Sequence, residues 1–409
     1  MTVYYNGFPQ SDRDEAISMI NVDELEERAK EVMPEGAYYY IASGSENEWT
    51  WRNNTTAFNH FQIVPRALTN MENPQLDTDF MGLKLKTPIM IAPIACHGIA
   101  HTDAEVATQK GAAAAGALFS SSTYGNKSVE DIAAAAPDAP RFFQLYLSKD
   151  WDFNQMVFDA IKKAGYNGIF LTVDALVSGY REANLRTQFA FPVPLDFFSR
   201  YQGAQGEGQT VAQMYASSAQ KIGPEDVKRI KEMSGLPVYV KGVMCAEDAY
   251  LAMGAGADGI YVTNHGGREV DSGPATIDML PEIAKAVNHR VPIIFDSGVR
   301  RGSHVFKALA LGADLVGIGR PYLYALALGG AKGVESVIKQ LNDELLIDMQ
   351  LTGCKTIEDV KHAKLTNISY TADNLKSDTD PSRLKPYPVT GDNQLKNTGA
   401  DVVSGASEA

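Results

Sequence analysis

The sequence predicts an α/β fold, a (β/α)8 TIM barrel with additions, and three observations support this. From residue 87 onward, eight short apolar runs alternate with helical stretches. Such alternation is typical of parallel strands joined by right-handed helical crossovers. None of the eight runs is followed by the three-glycine fingerprint of an open dinucleotide-binding sheet. Eight strand–helix units over this length therefore favour a closed barrel.

The strands are predicted from continuous apolar runs, because strands of a parallel sheet are buried on both faces. The predicted strands are residues 88–92, 117–121, 141–145, 168–172, 238–241, 259–263, 292–296 and 315–318. The predicted helices between or after them are residues 105–115, 153–163, 225–233, 246–253 and 303–311.

The N-terminal part predicts a helical cap on the barrel. Residues 1–20 are polar, and we expect them to be loosely ordered. A helix is predicted over residues 22–32, with Asn21 as its N-cap and Pro34 beyond its end. Further helical pieces are predicted over residues 38–42 and 46–58. The cap and the barrel together form one domain, residues 21–370.

Two segments depart from the alternating pattern. About fifty residues separate Asp174 from Pro224, which is too long for an ordinary connection, so we expect a lid at about residues 175–223. After a last predicted helix over residues 334–349, residues 371–409 are rich in polar residues, glycine and proline. That composition cannot bury enough apolar surface to offset ordering, so we expect a disordered tail.

Composition limits the class of protein. The formal net charge of −13 argues against a general nucleic-acid binder. Three cysteines without paired metal-binding spacing suit a reducing cytoplasm. No signal-peptide pattern is present, and no apolar run approaches the roughly 20 residues that span a bilayer. We therefore expect a cytoplasmic protein that does not bind membranes.

The strand ends predict an active site, since such barrels place it at the C-terminal ends of their strands. Polar, ionisable or glycine residues follow nearly every predicted strand. They are Pro93, Ile94 and Ala95; residues 120–124; Gln144 and Tyr146; Thr172 and Asp174; Lys241; His265 and Arg268; residues 296–300; and Gly319 and Arg320. This density is greater than structural chance would give.

The sixth strand is followed by His265 and Arg268, which are separated by two glycines. Histidine can transfer a proton near neutral pH, and arginine can bind a carboxylate through two parallel hydrogen bonds. Taken alone, a core histidine beside a surface arginine explains this pattern equally well. The other strand ends favour the catalytic interpretation.

The last two strand ends predict a phosphate site. Gly298 with Arg300, and Gly319 with Arg320, supply backbone N–H groups and cations after strands seven and eight. A turn with a surface charge is the alternative. The polar residues Ser122, Gln144, Thr172 and Lys241 extend the site, which favours a phosphorylated cofactor over a bare metabolite.

Lys241 suits the stabilisation of an anionic reduced flavin. Its alternatives are a salt-bridged structural lysine and a lysine that forms a Schiff base. No metal site is predicted, because His97, His101 and His265 are not grouped with acidic residues at ligand spacing.

Five motifs, in order along the chain, resemble those of the FMN-dependent 2-hydroxy acid oxidases. They lie at residues 92–98, 171–174, 178–181, 264–268 and 296–302, and the resemblance covers about residues 20–370. It implies that His265 takes the substrate hydroxyl proton and that Asp174 stabilises the resulting imidazolium. It also implies a set of substrate-binding residues, which are Tyr40, Tyr124, Tyr146, Arg181, Tyr215 and Arg268. In this set the two arginines would bind the substrate carboxylate, and Tyr215 would close over the substrate from the lid.

The cofactor that the resemblance implies is FMN. Its contact residues would be Pro93, Ile94, Ala95, Ser122, Gln144, Thr172, Lys241, Thr263, Asp296, Ser297, Gly298, Arg300, Gly319 and Arg320.

The implied reaction is oxidation of a short L-2-hydroxy acid, first of all L-lactate, to the 2-keto acid, with O2 reduced to hydrogen peroxide. A homotetramer is implied as well. The alternatives within the family are a monooxygenase that decarboxylates the product, another oxidase such as a glycolate oxidase, and a dehydrogenase with a different acceptor. Two alternatives from other classes are a Schiff-base aldolase that uses Lys241 and a flavin- or phosphate-binding protein without catalysis.

Overall fold

A computed structural model describes residues 2–202 and 206–367 of the chain. Its strands are β1 (Thr2–Tyr5), β2 (Phe8–Ser11), β3 (Phe61–Ile63), β4 (Thr78–Phe80), β5 (Leu83–Leu85), β6 (Ile89–Ile91), β7 (Phe119–Ser122), β8 (Arg141–Leu145), β9 (Gly168–Thr172), β10 (Val238–Val243), β11 (Gly259–Val262), β12 (Ile293–Phe295), β13 (Leu315–Ile318) and β14 (Leu365–Asn367). Its α-helices are α1 (Glu24–Val32), α2 (Glu35–Ala42), α3 (Trp49–Thr56), α4 (Ala104–Ala114), α5 (Val129–Ala135), α6 (Trp151–Lys163), α7 (Glu182–Arg186), α8 (Asp196–Gln202), α9 (Val211–Ser217), α10 (Pro224–Ser234), α11 (Ala246–Gly254), α12 (Thr276–Val287), α13 (Gly302–Ala310), α14 (Arg320–Thr352) and α15 (Ile357–Lys361).

Eight parallel strands form the barrel, in the order β6-β13-β12-β11-β10-β9-β8-β7. The barrel closes between its first two strands, where Met90 bridges to Leu118 and the Ile91 N–H donates to the Leu118 carbonyl at 2.9 Å. The predicted (β/α)8 barrel is confirmed, and each of its eight strands lies within two residues of its predicted position.

The barrel interior is packed with aromatic side chains at its N-terminal end. Phe142, Phe170, Tyr239 and Tyr261 are buried inside it, each contributed by a different strand. The hairpin formed by β4 and β5 inserts Phe80 below them, 5.9 Å from the ring of Tyr239. This end of the barrel is therefore sealed, and the functional cleft lies at the opposite end, where the strands finish.

The predicted helical cap is confirmed, and it packs directly on two strand-end glycines. A Cβ on Gly267 would lie 2.5 Å from the Trp51 nitrogen, and a Cβ on Gly298 would lie 2.2 Å from the Asn54 carbonyl oxygen. Helix α3 can approach this closely only because these positions lack a side chain. The prediction of Asn21 as the first N-cap is wrong: α1 begins at Glu24, and the Asn21 side chain accepts from the Asp23 N–H instead.

The expectation of a loosely ordered N-terminus is wrong for residues 2–11. Strands β1 and β2 pair as an antiparallel hairpin across Asn6 and Gly7, whose φ values are 45° and 86°. Asn-Gly with two positive φ angles is the turn that matches the twist of a two-residue hairpin. The Gln10 side chain then donates to the Gly98 carbonyl at 2.5 Å, which fixes the hairpin on the barrel.

The long connection after β9 carries three short helices, α7, α8 and α9, and lies over the open end of the barrel. The predicted tail, residues 371–409, lies outside the described residues. Within the described part of the chain, no helix combines the length and apolar character needed to cross a membrane.

Candidate active site

A cleft opens at the C-terminal end of the barrel, and its space, together with the solvent at its mouth, is about 950 Å³. Most of the predicted site residues line it. They are Tyr40, Pro93, Ile94, Ala95, Ser122, Tyr124, Tyr146, Arg181, Tyr215, Lys241, His265, Arg268, Asp296, Ser297, Gly298, Arg300, Gly319 and Arg320. The other four predicted residues, Gln144, Thr172, Asp174 and Thr263, do not line the cleft. Three of them hydrogen-bond to a residue that does, and Thr172 bonds to Gln144 and pairs with Lys241 across the sheet.

His265 is held in a single orientation by a carboxylate behind it. Its Nδ1 lies 3.0 Å from Asp174 Oδ1, and both side chains are mostly buried. Burial opposes ionisation of Asp174, yet the neighbouring Lys241 and His265 keep the pKa of this carboxyl below its usual value. A carboxylate on Nδ1–H leaves Nε2, on the cleft side, free to accept a proton. The φ of His265 is 57°, so the backbone is turned sharply at this position.

Three tyrosines form a wall beside His265. The Tyr146 hydroxyl lies 3.3 Å from His265 Nε2 and 3.2 Å from the Tyr215 hydroxyl. The Tyr124 ring stacks on Tyr146 at 4.8 Å, and its hydroxyl lies 2.7 Å from Ser218 Oγ. Burial, and then the neighbouring Tyr215, raise the pKa of Tyr146, so its hydroxyl stays a hydrogen-bond donor. The lid thus contributes Tyr215 to the same hydrogen-bonded group as the barrel residues.

Arg268 presents a buried positive charge to the cleft. Its Nη1 donates to the carbonyls of Ser43 and Ile41, at 3.0 and 3.4 Å, and its guanidinium lies over the Tyr40 ring. In the described part of the chain, no carboxylate lies within salt-bridge distance of it. Burial, together with repulsion from Arg181, lowers the pKa of Arg268 to about 10. A buried cation without a counter-ion is unfavourable, so an anion bound beside Arg268 would be stabilised.

Arg181 differs from Arg268, because its charge is already compensated. Its Nη2 forms a buried ion pair with Glu269 Oε1, and its Nε donates to the Arg268 carbonyl at 3.1 Å. Burial opposes its charge, but the Glu269 carboxylate raises the pKa of Arg181 above its usual value. Glu269 is not among the predicted site residues, since sequence spacing gives no sign that it meets a side chain 88 positions away.

A chain of polar side chains supports the floor of the cleft. Ser122 Oγ donates to Gln144 Oε1 at 2.8 Å, and Gln144 Nε2 donates to Thr172 Oγ1 at 2.8 Å. On the opposite side, Thr263 donates to the carboxylate of Asp296, and the His265 N–H donates to Thr263 Oγ1 at 3.1 Å. These bonds fix the predicted residues relative to one another even where they do not face the cleft.

The predicted phosphate end is formed by two strand ends and two helix starts. Helix α13 begins at Gly302, whose N–H donates to Glu344 Oε2 at 2.7 Å, and helix α14 begins at Arg320, which lines the cleft. Gly298 has φ 78°, and the ring of His304, stacked on Phe58, supports the preceding turn by accepting from the Arg300 N–H at 3.3 Å. Burial, and then repulsion from Arg268, lower the pKa of Arg320 to about 9, and its guanidinium donates to the carbonyls of Ser43 and Gly266 at 2.8 and 3.1 Å.

The surroundings of Lys241 indicate whether FMN fits the cleft. Its side chain is buried and lines the cleft, and within the described residues no carboxylate lies within salt-bridge distance. The alternative of a salt-bridged structural lysine is therefore not supported. An unpaired buried ammonium in one part of the cleft, and the two arginines with two glycines at the ends of β12 and β13 in another, match the isoalloxazine and phosphate of FMN. Among the described residues, no group of three or more His, Cys, Asp and Glu could hold a metal ion.

The lid supplies cleft residues that the sequence did not identify. Phe191, Val211 and Met214 close the cleft with apolar surface. The run of residues 189–194 is apolar in the sequence, but only the folded lid shows which of its side chains turn inward. Phe191 also contacts Tyr40, whose ring centroid lies 5.5 Å away. The substrate end is therefore enclosed by aromatic and apolar side chains around a few charged groups.

Comparison with known families and sequences gives consistent matches. Residues 29–367 match the sequence model of the FMN-dependent dehydrogenase family. The L-lactate oxidase of Lactobacillus jensenii is 78% identical over 408 residues and matches along the whole of both chains. The L-lactate oxidase of Lentilactobacillus hilgardii is 56% identical, covering 90% of this chain and 100% of that protein.

Solved structures show the same fold. A crystal structure of a Pediococcus acidilactici protein described as a lactate oxidase superimposes with a TM-score of 0.87 at 54% identity, covering 90% of this chain and 100% of that one. Mandelate oxidase with (S)-4-hydroxymandelic acid superimposes with a TM-score of 0.80 at 32% identity, covering 85% of this chain and 99% of that one.

Proposed function

Because the chain belongs to the family of FMN-dependent dehydrogenases, we propose that it oxidises L-lactate to pyruvate and reduces O2 to hydrogen peroxide. FMN is its cofactor. The substrate and the acceptor are proposed from the two L-lactate oxidases that this chain resembles along most or all of their length. Membership of an FMN-dependent family leaves no support for the Schiff-base aldolase alternative on Lys241.

One observation carries the proposal: a proton acceptor and an uncompensated guanidinium face the same cleft. The cleft side of His265 carries Nε2, while Arg268 offers the N–H groups that its two backbone carbonyls leave unused. A 2-hydroxy acid has a hydroxyl group on the carbon next to its carboxylate. Arg268 therefore binds the carboxylate, with Arg181, Tyr40 and Tyr146 as further donors, and His265 meets the hydroxyl group.

The proton of the substrate hydroxyl moves to His265 Nε2 as the substrate is oxidised. Asp174, whose carboxylate contacts Nδ1, stabilises the imidazolium that results. Tyr146 donates to the same Nε2 before the substrate arrives and can turn to the substrate afterwards. Tyr124 and the apolar lid residues exclude water, which strengthens these charge interactions.

Bound FMN would supply the acceptor for the two electrons and the hydrogen that leave the substrate carbon; the electrons would pass to O2, which takes up that hydrogen and the hydroxyl proton as two protons to give hydrogen peroxide. We assign Lys241 to the negative charge that the reduced isoalloxazine ring carries, and the strand ends at Gly298–Arg300 and Gly319–Arg320 to the phosphate. Ala95 and the polar chain through Ser122, Gln144 and Thr172 would then flank the ring. The remaining predicted contacts are Pro93, Ile94, Thr263, Asp296 and Ser297.

The fate of the peroxide separates an oxidase from a monooxygenase. The experiment incubates the purified protein with L-lactate and O2 and measures pyruvate, hydrogen peroxide, acetate and carbon dioxide. We expect one pyruvate and one hydrogen peroxide per O2 consumed. Acetate and carbon dioxide without free peroxide would instead assign the monooxygenase reaction, and turnover of glycolate but not lactate would assign a different 2-hydroxy acid.

Tyr215→Phe should mainly change product release. The substitution removes the 3.2 Å hydroxyl contact with Tyr146, which joins helix α9 of the lid to the barrel. One hydrogen bond contributes about 0.5–1.5 kcal/mol, so pyruvate release should quicken about two- to tenfold. Stopped-flow measurement of both pyruvate release and flavin reduction checks this. Tyr180→Phe on the exposed part of the same segment is the control, and an effect confined to flavin reduction would contradict a gating role.

Ala95→Gly should shift the substrate preference toward bulkier 2-hydroxy acids. Ala95 lines the cleft between Ile94 and the substrate end, and loss of its methyl group enlarges that space. One methylene in an apolar pocket is worth about 1–3 kcal/mol of discrimination, so kcat/KM for mandelate relative to lactate should rise about five- to 150-fold. The rate at which O2 reoxidises the flavin should change as well.

The comparison for Ala95→Gly is Ala219→Gly, a half-buried position outside the cleft. Both variants are measured by reduction with lactate, reduction with mandelate and reoxidation by O2. Unchanged values of all three in Ala95→Gly would place Ala95 away from the reacting edge of the flavin.

We also infer a homotetramer in the cytoplasm, with neither nucleic acid nor membrane as partner. The family resemblance supports the tetramer, and three free cysteines support a reducing compartment. Sedimentation of the FMN-loaded protein measures the assembly state, and fractionation of the cells that produce it measures the location.

A further inference from the structure

The positive charge of Arg181 is compensated by Glu269, with which it forms a buried ion pair. The two side chains are only 4% and 8% exposed. Glu269 Oε1 accepts from Arg181 Nη2, and Oε2 accepts from the Gly179 N–H at 2.7 Å. Both carboxylate oxygens are thus used, and the pair is fixed to the turn that precedes Arg181.

Glu269 acts on the cleft through Arg181. Arg181 lines the cleft, whereas Glu269 does not. At this depth the two charges are weakly screened, and the pair presents almost no net charge to a ligand. Arg181 keeps unused N–H groups, so it can still donate a hydrogen bond to a substrate.

The charges at the substrate end can therefore be counted. Arg268 is uncompensated, because no carboxylate of the described residues lies within salt-bridge distance of it. Arg181 is neutralised by Glu269. His265 is neutral until it accepts the proton, so the negative charge of Asp174 is offset by the neighbouring Lys241, whose charge favours the ionised carboxyl. Arg300 and Arg320 belong to the phosphate end. One net positive charge remains for the substrate.

We propose that Glu269 is a specificity-determining residue that sets the substrate end to one uncompensated positive charge and thereby selects monocarboxylates over dicarboxylates. The proposal rests on the proposed function, since it concerns which 2-hydroxy acids the same site accepts. A second carboxylate on the substrate would enter a low-dielectric cleft without a counter-charge, which is unfavourable. A methyl or other uncharged group enters without this cost.

The test uses two ligands of nearly the same shape and different charge. Oxalate is a dianion at neutral pH, whereas oxamate carries an amide in place of one carboxylate and is a monoanion. Their dissociation constants are measured from flavin absorbance changes in the oxidised FMN-loaded protein, without turnover. The quantity compared among variants is the affinity for oxalate divided by the affinity for oxamate.

Glu269→Gln should raise this ratio at least about tenfold, because removing one charge within roughly 12 Å of a carboxylate, at an effective dielectric of about 20, changes the equilibrium by that factor or more. Glu269→Asp keeps the charge and should keep the wild-type ratio. Glu182→Gln is the matched control, because Glu182 follows Arg181 directly in the sequence but forms an exposed pair with Arg186. It should leave the ratio unchanged.

In Glu269→Gln an NH2 group, which cannot accept, replaces one of the two oxygens that Arg181 and Gly179 bond, so a charge-neutral double variant provides an independent test. Arg181→Gln combined with Glu269→Gln removes one charge of each sign and should keep the wild-type ratio, even if both ligands bind more weakly. A fall in the ratio would show that Arg181 supplies net positive charge to the ligand, which overturns the proposal. An equal loss for both ligands in Glu269→Gln would also overturn it, because Glu269 would then only anchor the turn.

The outcome of the binding test does not depend on the outcome of the test of the proposed function. If wild-type protein binds the ligands as expected but is not reduced by L-lactate, the proposed substrate is wrong and the charge count stands. If lactate is oxidised but the ratio does not respond to Glu269→Gln, the charge count is wrong and the proposed function stands.

Discussion

Replacing His265 with alanine should slow the reduction of the flavin by L-lactate about 10²–10⁴-fold while FMN stays bound. The imidazole is the proton acceptor of the proposed reaction, and its Nε2 is the ring nitrogen that Asp174 leaves free. The cofactor contacts lie on other strand ends, so their loss is not expected. Anaerobic stopped-flow reduction, with the flavin content measured from absorbance, checks both parts.

The matched control for this variant is His362→Ala, at the exposed C-cap of helix α15. It should reduce at the wild-type rate. Near-normal reduction of His265→Ala would remove His265 from the proton transfer. Loss of the flavin would show that the imidazole has a structural role that the geometry of the cleft does not indicate.

Arg268→Lys should weaken the binding of lactate and of oxalate, although it preserves the charge. An ammonium group cannot form the two parallel hydrogen bonds that a planar guanidinium makes with a carboxylate. Lost hydrogen bonds of this kind cost about 1–3 kcal/mol, which corresponds to roughly five- to 150-fold in the dissociation constant. The backbone carbonyls of Ser43 and Ile41 would also lose the donor that Arg268 provides.

Dissociation constants for oxalate and the apparent KM for lactate measure this effect. Arg186→Lys is the control, because it makes the same chemical change in an exposed ion pair of helix α7. If Arg268→Lys binds both ligands as tightly as the wild type, the principal carboxylate contact is not Arg268, and Arg181 becomes the residue to test.

The fold could be predicted largely from local patterns. A barrel strand such as β9 is buried along its whole length, so Gly168–Thr172 stands out as a continuous run that is mostly apolar. Two helices have weaker sequence patterns, one because it is short and the other because it contains proline. Helix α5 has seven residues, and helix α12 contains Pro281, which usually marks a helix boundary. The hairpin at Asn6-Gly7 was missed, although its turn residues are the strongest short-range sign of a hairpin.

The residues of the candidate site could be predicted, but their pairing could not. Every predicted residue lines the cleft or supports a residue that does, because barrel topology brings strand ends together. The Arg181–Glu269 pair joins residues 88 positions apart, and helix α3 meets Gly267 and Gly298 across more than two hundred. Such contacts are set by tertiary packing, so they leave no periodic signal in the sequence.

The central claim is that this cleft oxidises L-lactate with FMN, using His265 as the proton acceptor and Arg268 as the carboxylate site. The most direct measurement is the absorbance of the oxidised, FMN-containing protein after L-lactate is added without oxygen, followed by addition of O2. The account predicts that the yellow colour bleaches with L-lactate, persists with D-lactate and returns with O2, with one hydrogen peroxide formed per flavin reoxidised. A colour that L-lactate leaves unchanged would contradict it.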